Sequence, residues 1–206
     1  MEILLNNEII KFKRWSLSYP TETRSGEWEC DYNHWNDLYA VFTNFIESNS
    51  PEVLKEHDIE NIIYIVARDN EMEVLISDLA EKPYWFKAIL PRVLECDEPD
   101  AKWQFSVVLG DNVLPFMESE ASLLKLVDDE NEYVSRRALQ SLGRIGSSKT
   151  ESLCERAWET NHEYQRIMAL WVLKEIHSQK LERYLSLAKE DGRRYIVSNA
   201  NEIKNA

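Results

Sequence analysis

The sequence predicts an all-α protein: a right-handed α-α superhelix of about five helical pairs, closed by a variant N-terminal cap. Three observations carry that expectation. Apolar residues recur at spacings of three and four over most of the chain, the pattern of one buried helix face. Only five glycines and six prolines stand among 206 residues, too few for the many tight turns of an all-β fold. One segment also returns in recognisable form 31 residues later, which points to stacked units.

The elements follow in chain order. The opening "EILLNNEIIKFK" reads as a small hairpin turning at Asn6-Asn7 or as an irregular cap over residues 1–24. Residues 34–48 put Trp35, Leu38, Tyr39, Phe42, Phe45 and Ile46 on one helical face. Ser50-Pro51 is a start signal, with proline at the first helical position. Residues 58–68, "DIENIIYIVAR", read as a buried helix. Residues 70–81 open with an Asn-x-x-Glu capping box, Asn70 to Glu73. Residues 83–95 begin at Pro83, and Pro91 is expected to kink that helix. Residues 97–111 are an acidic turn, a helix and a Leu-Gly stop. Shorter amphipathic segments occupy 119–127, 150–159 and 181–190.

The repeat is clearest where "NEYVSRRALQSLGRI" (131–145) lies over "HEYQRIMALWVLKEI" (162–176). Ala138 meets Ala169, Leu139 meets Leu170, Leu142 meets Leu173 and Ile145 meets Ile176. The small alanine suits a point where two helices approach closely. Asn131 can cap the first of these helices, and Gly143 or Gly146 can take a left-handed turn at its end. A unit with one apolar face cannot bury it alone, and stacking the units does so.

These residues resemble the HEAT repeat, above all its short bacterial form: an acidic turn, Val-Arg-Arg-x-Ala, then Ala-Leu-Gly-x-Ile-Gly. Asp129, Val134, Arg136, Ala138, Leu142, Gly143, Ile145 and Gly146 match. Ser135 departs from it, standing where the family usually has an arginine that ladders with the turn aspartate. Arg166 holds that place in the next unit, where Gln165 replaces the valine. The resemblance covers 119–190 well and 83–118 faintly. It implies a HEAT-like solenoid, a fold that hosts many functions.

A chain of this length can form one domain that buries roughly 70% of its unfolded surface, so 1–206 is expected to be a single HEAT-like domain. Its parts are the cap 1–24, an acidic helical half 25–100 and the clearer repeats 101–206. The net charge is −13, and its distribution is informative. Residues 25–100 hold five basic and eighteen acidic side chains, which is the whole excess; residues 101–206 hold fifteen and sixteen. A field of that sign repels nucleic acid and anionic membranes and attracts basic partners. No 18-residue apolar run occurs, and the opening residues carry no basic leader before an apolar core, so a cytoplasmic protein is expected. Cys30, Cys96 and Cys154 are odd in number and far apart, as suits small core residues in a reducing compartment.

The sequence carries no recognisable catalytic set. His34, His57, His162 and His177 form no His-x-x-x-His pair, and no Cys-x-x-Cys, phosphate loop or Gly-x-Ser-x-Gly elbow occurs. The expectation is a non-enzyme with no metal and no cofactor. Acidic runs such as Asp128/Asp129/Glu130 favour helix N-termini. The sharpest local feature is "GEWECDYNHWNDLY" (26–39), where Trp28, Tyr32, Trp35 and Tyr39 fall at spacings of four, three and four. One reading is a core stripe. The other is a partner surface, because aromatic residues anchor interfaces and acids draw a basic ligand. The two combine if Trp35 and Tyr39 lie inside and Trp28 and Tyr32 outside. The candidate partner-binding residues are Glu27, Trp28, Glu29, Asp31, Tyr32, Trp35, Asp37, Asp97, Glu98 and Asp100.

Size, acidity and repeat type together resemble bacterial immunity proteins, which implies a protein that binds and blocks a basic toxin domain, such as a nuclease. A HEAT-like DNA glycosylase of the alkylpurine type is the alternative. It would use Arg136, Arg137, Arg144, Arg166, Trp103 and Trp171, but phosphate contacts dominate such affinity and the net charge opposes them. A generic HEAT scaffold or a lyase-like relative that attaches bilin pigments is the third class.

Overall fold

A computed structural model describes residues 2–20, 22, 24 and 28–205. The described chain is all-α. Its helices are α1 (Glu2–Ser16), α2 (Trp35–Ser48), α3 (Glu56–Arg68), α4 (Val74–Ala80), α5 (Pro83–Val93), α6 (Pro99–Gly110), α7 (Phe116–Leu126), α8 (Glu132–Arg144), α9 (Thr150–Glu159), α10 (Glu163–Glu175), α11 (Leu181–Asp191) and α12 (Arg194–Asn205). Short 3-10 turns occupy Trp28–Asp31 and Pro51–Val53. The chain forms two compact units, residues 1–105 and 106–206, and the division falls within α6.

The first unit corrects the expectation for residues 1–24. Among the described residues, 2–16 form neither a hairpin turning at Asn6-Asn7 nor an irregular segment but the helix α1. Leu5, Ile9, Phe12 and Ser16 are buried, at spacings of four, three and four, so helical periodicity outweighs the turn preference of the asparagine pair. Asn6 serves as a polar contact instead: its Nδ2 donates to Asp58 Oδ1 on α3 at 3.3 Å. Lys13 Nζ donates to Asn61 Oδ1, also on α3, at 2.5 Å. Helices α1 and α2 pack together, α1 also meets α3, and α4, α5 and the start of α6 complete the unit.

The capping box at Asn70 is also corrected. Helix α4 begins only at Val74, after Glu73 has taken a left-handed φ of 54°. Asp69, the residue that caps α3 at its C-terminus, supplies the carboxylate, with Oδ2 accepting from the Leu75 N–H at 2.8 Å. Pro91 lies in the last turn of α5, which ends two residues later at Val93.

The second unit carries the repeat. Asn131 caps α8 as expected, its Oδ1 accepting from the Tyr133 and Val134 N–H groups. Val134, Ala138, Leu139 and Leu142 form its buried face, and Ala169, Leu170 and Leu173 form that of α10. A polar latch recurs at the same 31-residue offset. Ser147 Oγ donates to Glu120 at 2.5 Å, and Ser178 Oγ donates to Glu151 at 2.5 Å. Each serine also accepts from an N–H two residues on, Lys149 or Lys180. The departing Ser135 keeps part of the arginine's role: its Oγ donates to Val127 O, as Arg166 Nε donates to Trp158 O, each eight residues back. Arg166 then ladders with Asp191. Helix α12 lies beyond the predicted segments; its Ile196, Ala200 and Ile203 are buried at spacings of four and three.

Two glycines have separate tasks. Gly146 takes the left-handed turn after α8, at φ 72°. Gly110 ends α6, but Asn112 makes the left-handed turn there, at φ 61°. Gly110 is needed for contact: a Cβ would lie 2.7 Å from Ser141 Oγ and 3.1 Å from Ser141 Cα on α8.

Candidate partner-binding site

The predicted aromatic stripe is not one helix. Trp28 lies in the 3-10 turn and α2 starts at Trp35. The turn folds back on α1, so the same rings still meet. Trp15 stacks on Trp28 at 5.7 Å and 8°, Phe12 meets Tyr32 and Trp35 at 4.9 Å each, and Trp35 stacks on Tyr39 at 5.4 Å and 21°. Arg24 closes the cluster from outside. Its guanidinium sits 4.3 Å over Trp28, and Nε and Nη2 donate to the Tyr19 and Ser16 carbonyls. Edge-to-face and offset ring pairs contribute about 0.5–1.5 kcal/mol each beyond area burial, so the stripe cements α1 to α2.

Tyr32 is therefore corrected: it is buried, 4% exposed, where an outer position was expected. Trp28 is half-buried, as are Trp35 and Tyr39. Glu29 is also corrected. It is no rim acid but is 6% exposed, and its Oε2 has no hydrogen-bond partner. Its backbone carbonyl accepts from Trp35 Nε1 at 2.9 Å, which fixes the turn against α2. Burial pushes the Glu29 carboxyl above the usual carboxylate range, against the pull of its own backbone N–H and of Arg68.

The remaining predicted residues divide. Asp31 and Asp37 are exposed, with Asp31 accepting from the Tyr19 hydroxyl at 3.2 Å and Asp37 paired with His34 at 3.1 Å. Asp97 is exposed. Glu98 is engaged, because Arg68 donates to both its oxygens at 2.8 and 3.2 Å. Asp100 accepts from Trp103 Nε1 at 3.1 Å. Glu27 lies outside the described residues. Of the cysteines, only Cys154 is a core residue, its thiol pushed up to about 12 by burial; Cys96 is half-buried and Cys30 exposed.

The structure adds residues that sequence reasoning missed. Glu29, Trp35 and Tyr39 line a cleft of about 230 Å³ together with Arg68, Asp69, Glu71 and Met72. Asp69 is 3% exposed, and Tyr39 Oη donates to its Oδ1 at 2.5 Å. Burial holds the Asp69 carboxyl above its usual range, with the Leu75 N–H and the Tyr39 hydroxyl working the other way. Burial, then the bond to Asp69, keeps the Tyr39 hydroxyl protonated far into the alkaline range. The misplaced capping box hid Asp69; an aspartate directly before Asn70 was the available signal.

Three of the four arginines of the nucleic-acid alternative are paired with acids within the second unit, and Arg137 donates to Gln140. Arg136 pairs with Glu132 at 2.9 Å and sits 4.7 Å over the Tyr133 ring, Arg144 meets Asp111 at 3.5 Å, and Arg166 is held by Asp191. Trp103 is buried. No helix among the described residues is long and apolar enough to cross a membrane.

No curated protein and no solved structure matches the chain. The family model for HEAT repeats matches residues 87–199, more than half of the 206 residues. That span holds the Asn131 cap, the serine latches and the Arg166–Asp191 ladder, and the chain belongs to the HEAT-repeat family.

Proposed function

We propose that this protein is a non-catalytic protein-binding module whose first unit engages a basic partner, and that it acts as an immunity protein by covering a basic toxin domain. HEAT repeats serve generally as protein-binding scaffolds. The observation that carries the finer reading is the placement of charge. The whole excess of −13 lies within residues 25–100, and Asp31, Asp37, Glu47, Glu71, Glu81 and Asp97 all present it to solvent. Such a field steers a basic protein and raises its association rate, most of all at low salt.

The test is inhibition and binding kinetics against a toxin domain encoded beside this gene. Asp31→Lys with Asp37→Lys and Glu71→Lys should slow association by roughly tenfold and flatten its salt dependence. The control is Glu182→Lys with Glu190→Lys and Glu202→Lys, three exposed acids of the second unit. Glu151 and Glu155 are unsuitable there because both hold Lys180. Loss of binding with the control set alone would overturn the reading, as would a wild-type chain that gives no protection.

A further inference from the structure

Three tyrosines of the second unit occupy one position in three successive repeats. Tyr133, Tyr164 and Tyr195 are each the second residue of their helices, α8, α10 and α12, at intervals of 31 residues. All are exposed, by 37%, 51% and 58%. The core does not call for them, because each helix builds its buried face from other residues, such as Val134 and Leu142, Ala169 and Leu173, or Ile196 and Ile203. Helix α10 packs against both α8 and α12, so the three rings form a row across one layer. Arg136 lies between the first two, 4.7 Å from the Tyr133 ring and 5.3 Å from that of Tyr164. Those two rings are therefore about 10 Å apart at most, in keeping with the spacing of packed helices. One and two turns further along α10, Met168 and Trp171 line a shallow cavity of about 500 Å³ together with Gln140.

This layer differs from the rest of the chain in composition and in charge. Aromatic residues, methionine and arginine are the types enriched at the centres of interfaces. Helices α8, α10 and α12 carry seven basic and four acidic side chains, whereas α7, α9 and α11 carry four and eight. Arg144 and Arg166 pair outside the layer, with Asp111 and Asp191, which leaves it weakly positive in a protein of net charge −13. The cations also stand at the row itself: Arg137 lies 5.8 Å from the Tyr133 ring and Arg194 5.9 Å from that of Tyr195. A guest of negative charge is therefore accepted here and a basic one is not.

The spacing selects the form of that guest. A β-strand turns side chains to one side at every second residue, about 7 Å apart. A polyproline II segment does so at every third residue, about 9.3 Å apart, and so keeps step with the rings. Such segments dock in aromatic-lined grooves and give up little conformational freedom, because they are extended beforehand. Single-stranded nucleic acid also stacks on aromatic rows, but the net charge of the chain opposes phosphate.

We propose that the tyrosine row of the second unit is a docking track for a proline-rich, acidic protein segment in the polyproline II form. One proline packs on each ring, and the carboxylates between them face Arg136, Arg137 and Arg194. The track is separate from the basic partner assigned to the first unit, and its failure leaves that reading untouched.

Calorimetric titration of the full chain tests the track. The probe is acetyl-(Pro-Pro-Glu)4-amide, which is long enough to span the three rings. It should bind more tightly than acetyl-(Pro-Pro-Lys)4-amide by roughly tenfold or more. It should also outbind acetyl-(Pro-Glu)6-amide, which has more carboxylates but breaks the three-residue period. Tyr164→Ala, at the middle of the row, should weaken binding by roughly tenfold or more, and Tyr164→Phe should retain it. Tyr84→Ala removes an equally exposed ring of the first unit, 83% exposed, and should change nothing. No binding at millimolar peptide overturns the proposal, and so does equal binding of the lysine peptide. Affinity that survives Tyr164→Ala means that the three rings recur only because the unit repeats, and it overturns the proposal too. Tighter binding of a thymidine oligonucleotide of twelve bases than of the glutamate peptide assigns the row to nucleic acid instead.

Discussion

Replacing Glu29 by methionine should make the protein more stable, in contrast to most substitutions at buried positions. The side chain is 6% exposed and one of its oxygens has no partner. Leaving a buried polar group unsatisfied costs about 1–3 kcal/mol, more when it is charged. Methionine keeps the length and flexibility and removes the polar atoms. The Trp35 bond to the Glu29 carbonyl is a backbone contact and survives. A gain of about 1–2 kcal/mol is expected at pH 7, after allowing for imperfect packing of the sulfur. For about 200 residues that is a rise of roughly 2–8 °C in Tm. The sign also depends on pH. Burial raises the folded-state carboxyl above its unfolded value, so the folded state holds the proton more tightly. The wild type therefore recovers stability as pH falls through that raised pKa, and the advantage of methionine shrinks toward pH 4.5. Calorimetric melts of both proteins between pH 5 and 8 measure the difference, in which shifts from neighbouring groups largely cancel. A lower Tm for Glu29→Met at pH 7, or a gain that does not change with pH, would refute the account of Glu29 as a buried acid with an unsatisfied oxygen.

Two further substitutions test the repeat. Gly110→Ala should cost about 1–3 kcal/mol despite alanine's better helix propensity, because its Cβ would meet Ser141 backbone at 3.1 Å; denaturant melts that match the wild type would dispose of the close contact. His177→Gly should stabilise by about 0.5–1 kcal/mol, since His177 holds a left-handed φ of 52° at the position where the previous unit has Gly146; a loss of stability would mean that the imidazole makes a contact that outweighs the backbone relief.

The parts of the fold legible in the sequence were those governed by periodicity and local chemistry. The Asn131 cap needed only an asparagine before an apolar stripe, and the 31-residue repeat needed only self-comparison. Residues 1–24 failed for a specific reason. Asn6-Asn7 is a turn signal when read locally, but Asp58 lies fifty-two residues away and gives Asn6 a helical use. The start of α4 failed similarly. Asn70 and Glu73 have the spacing of a capping box, yet Asp69 reaches the helix first because Glu73 turns left-handed. Gly110 was read as a stop, whereas the demand on it comes from Ser141 on another helix. Spacing along a chain does not encode such contacts.

The site shows the same division. Charge could be read from the sequence, because counting needs no coordinates, and the acidic block 25–100 holds all three acids that line the cleft, Glu29, Asp69 and Glu71. Burial could not, and burial separates exposed acids, which can steer a partner, from acids such as Glu29 and Asp69 that are turned to the interior. Asp31 and Asp37 meet water on every approach, so a partner gains little from any one of them beyond a faster encounter. Glu29 is stripped of water within the folded chain, where its charge is felt at a lower effective dielectric. Its donorless oxygen is sealed from solvent, so its burial is a cost to the fold. Glu29→Met should strengthen the fold, and partner binding measured beside it tells whether the acid also serves recognition. That pairing separates a functional acid from a merely tolerated one, for which the fold would gain and recognition would be unchanged.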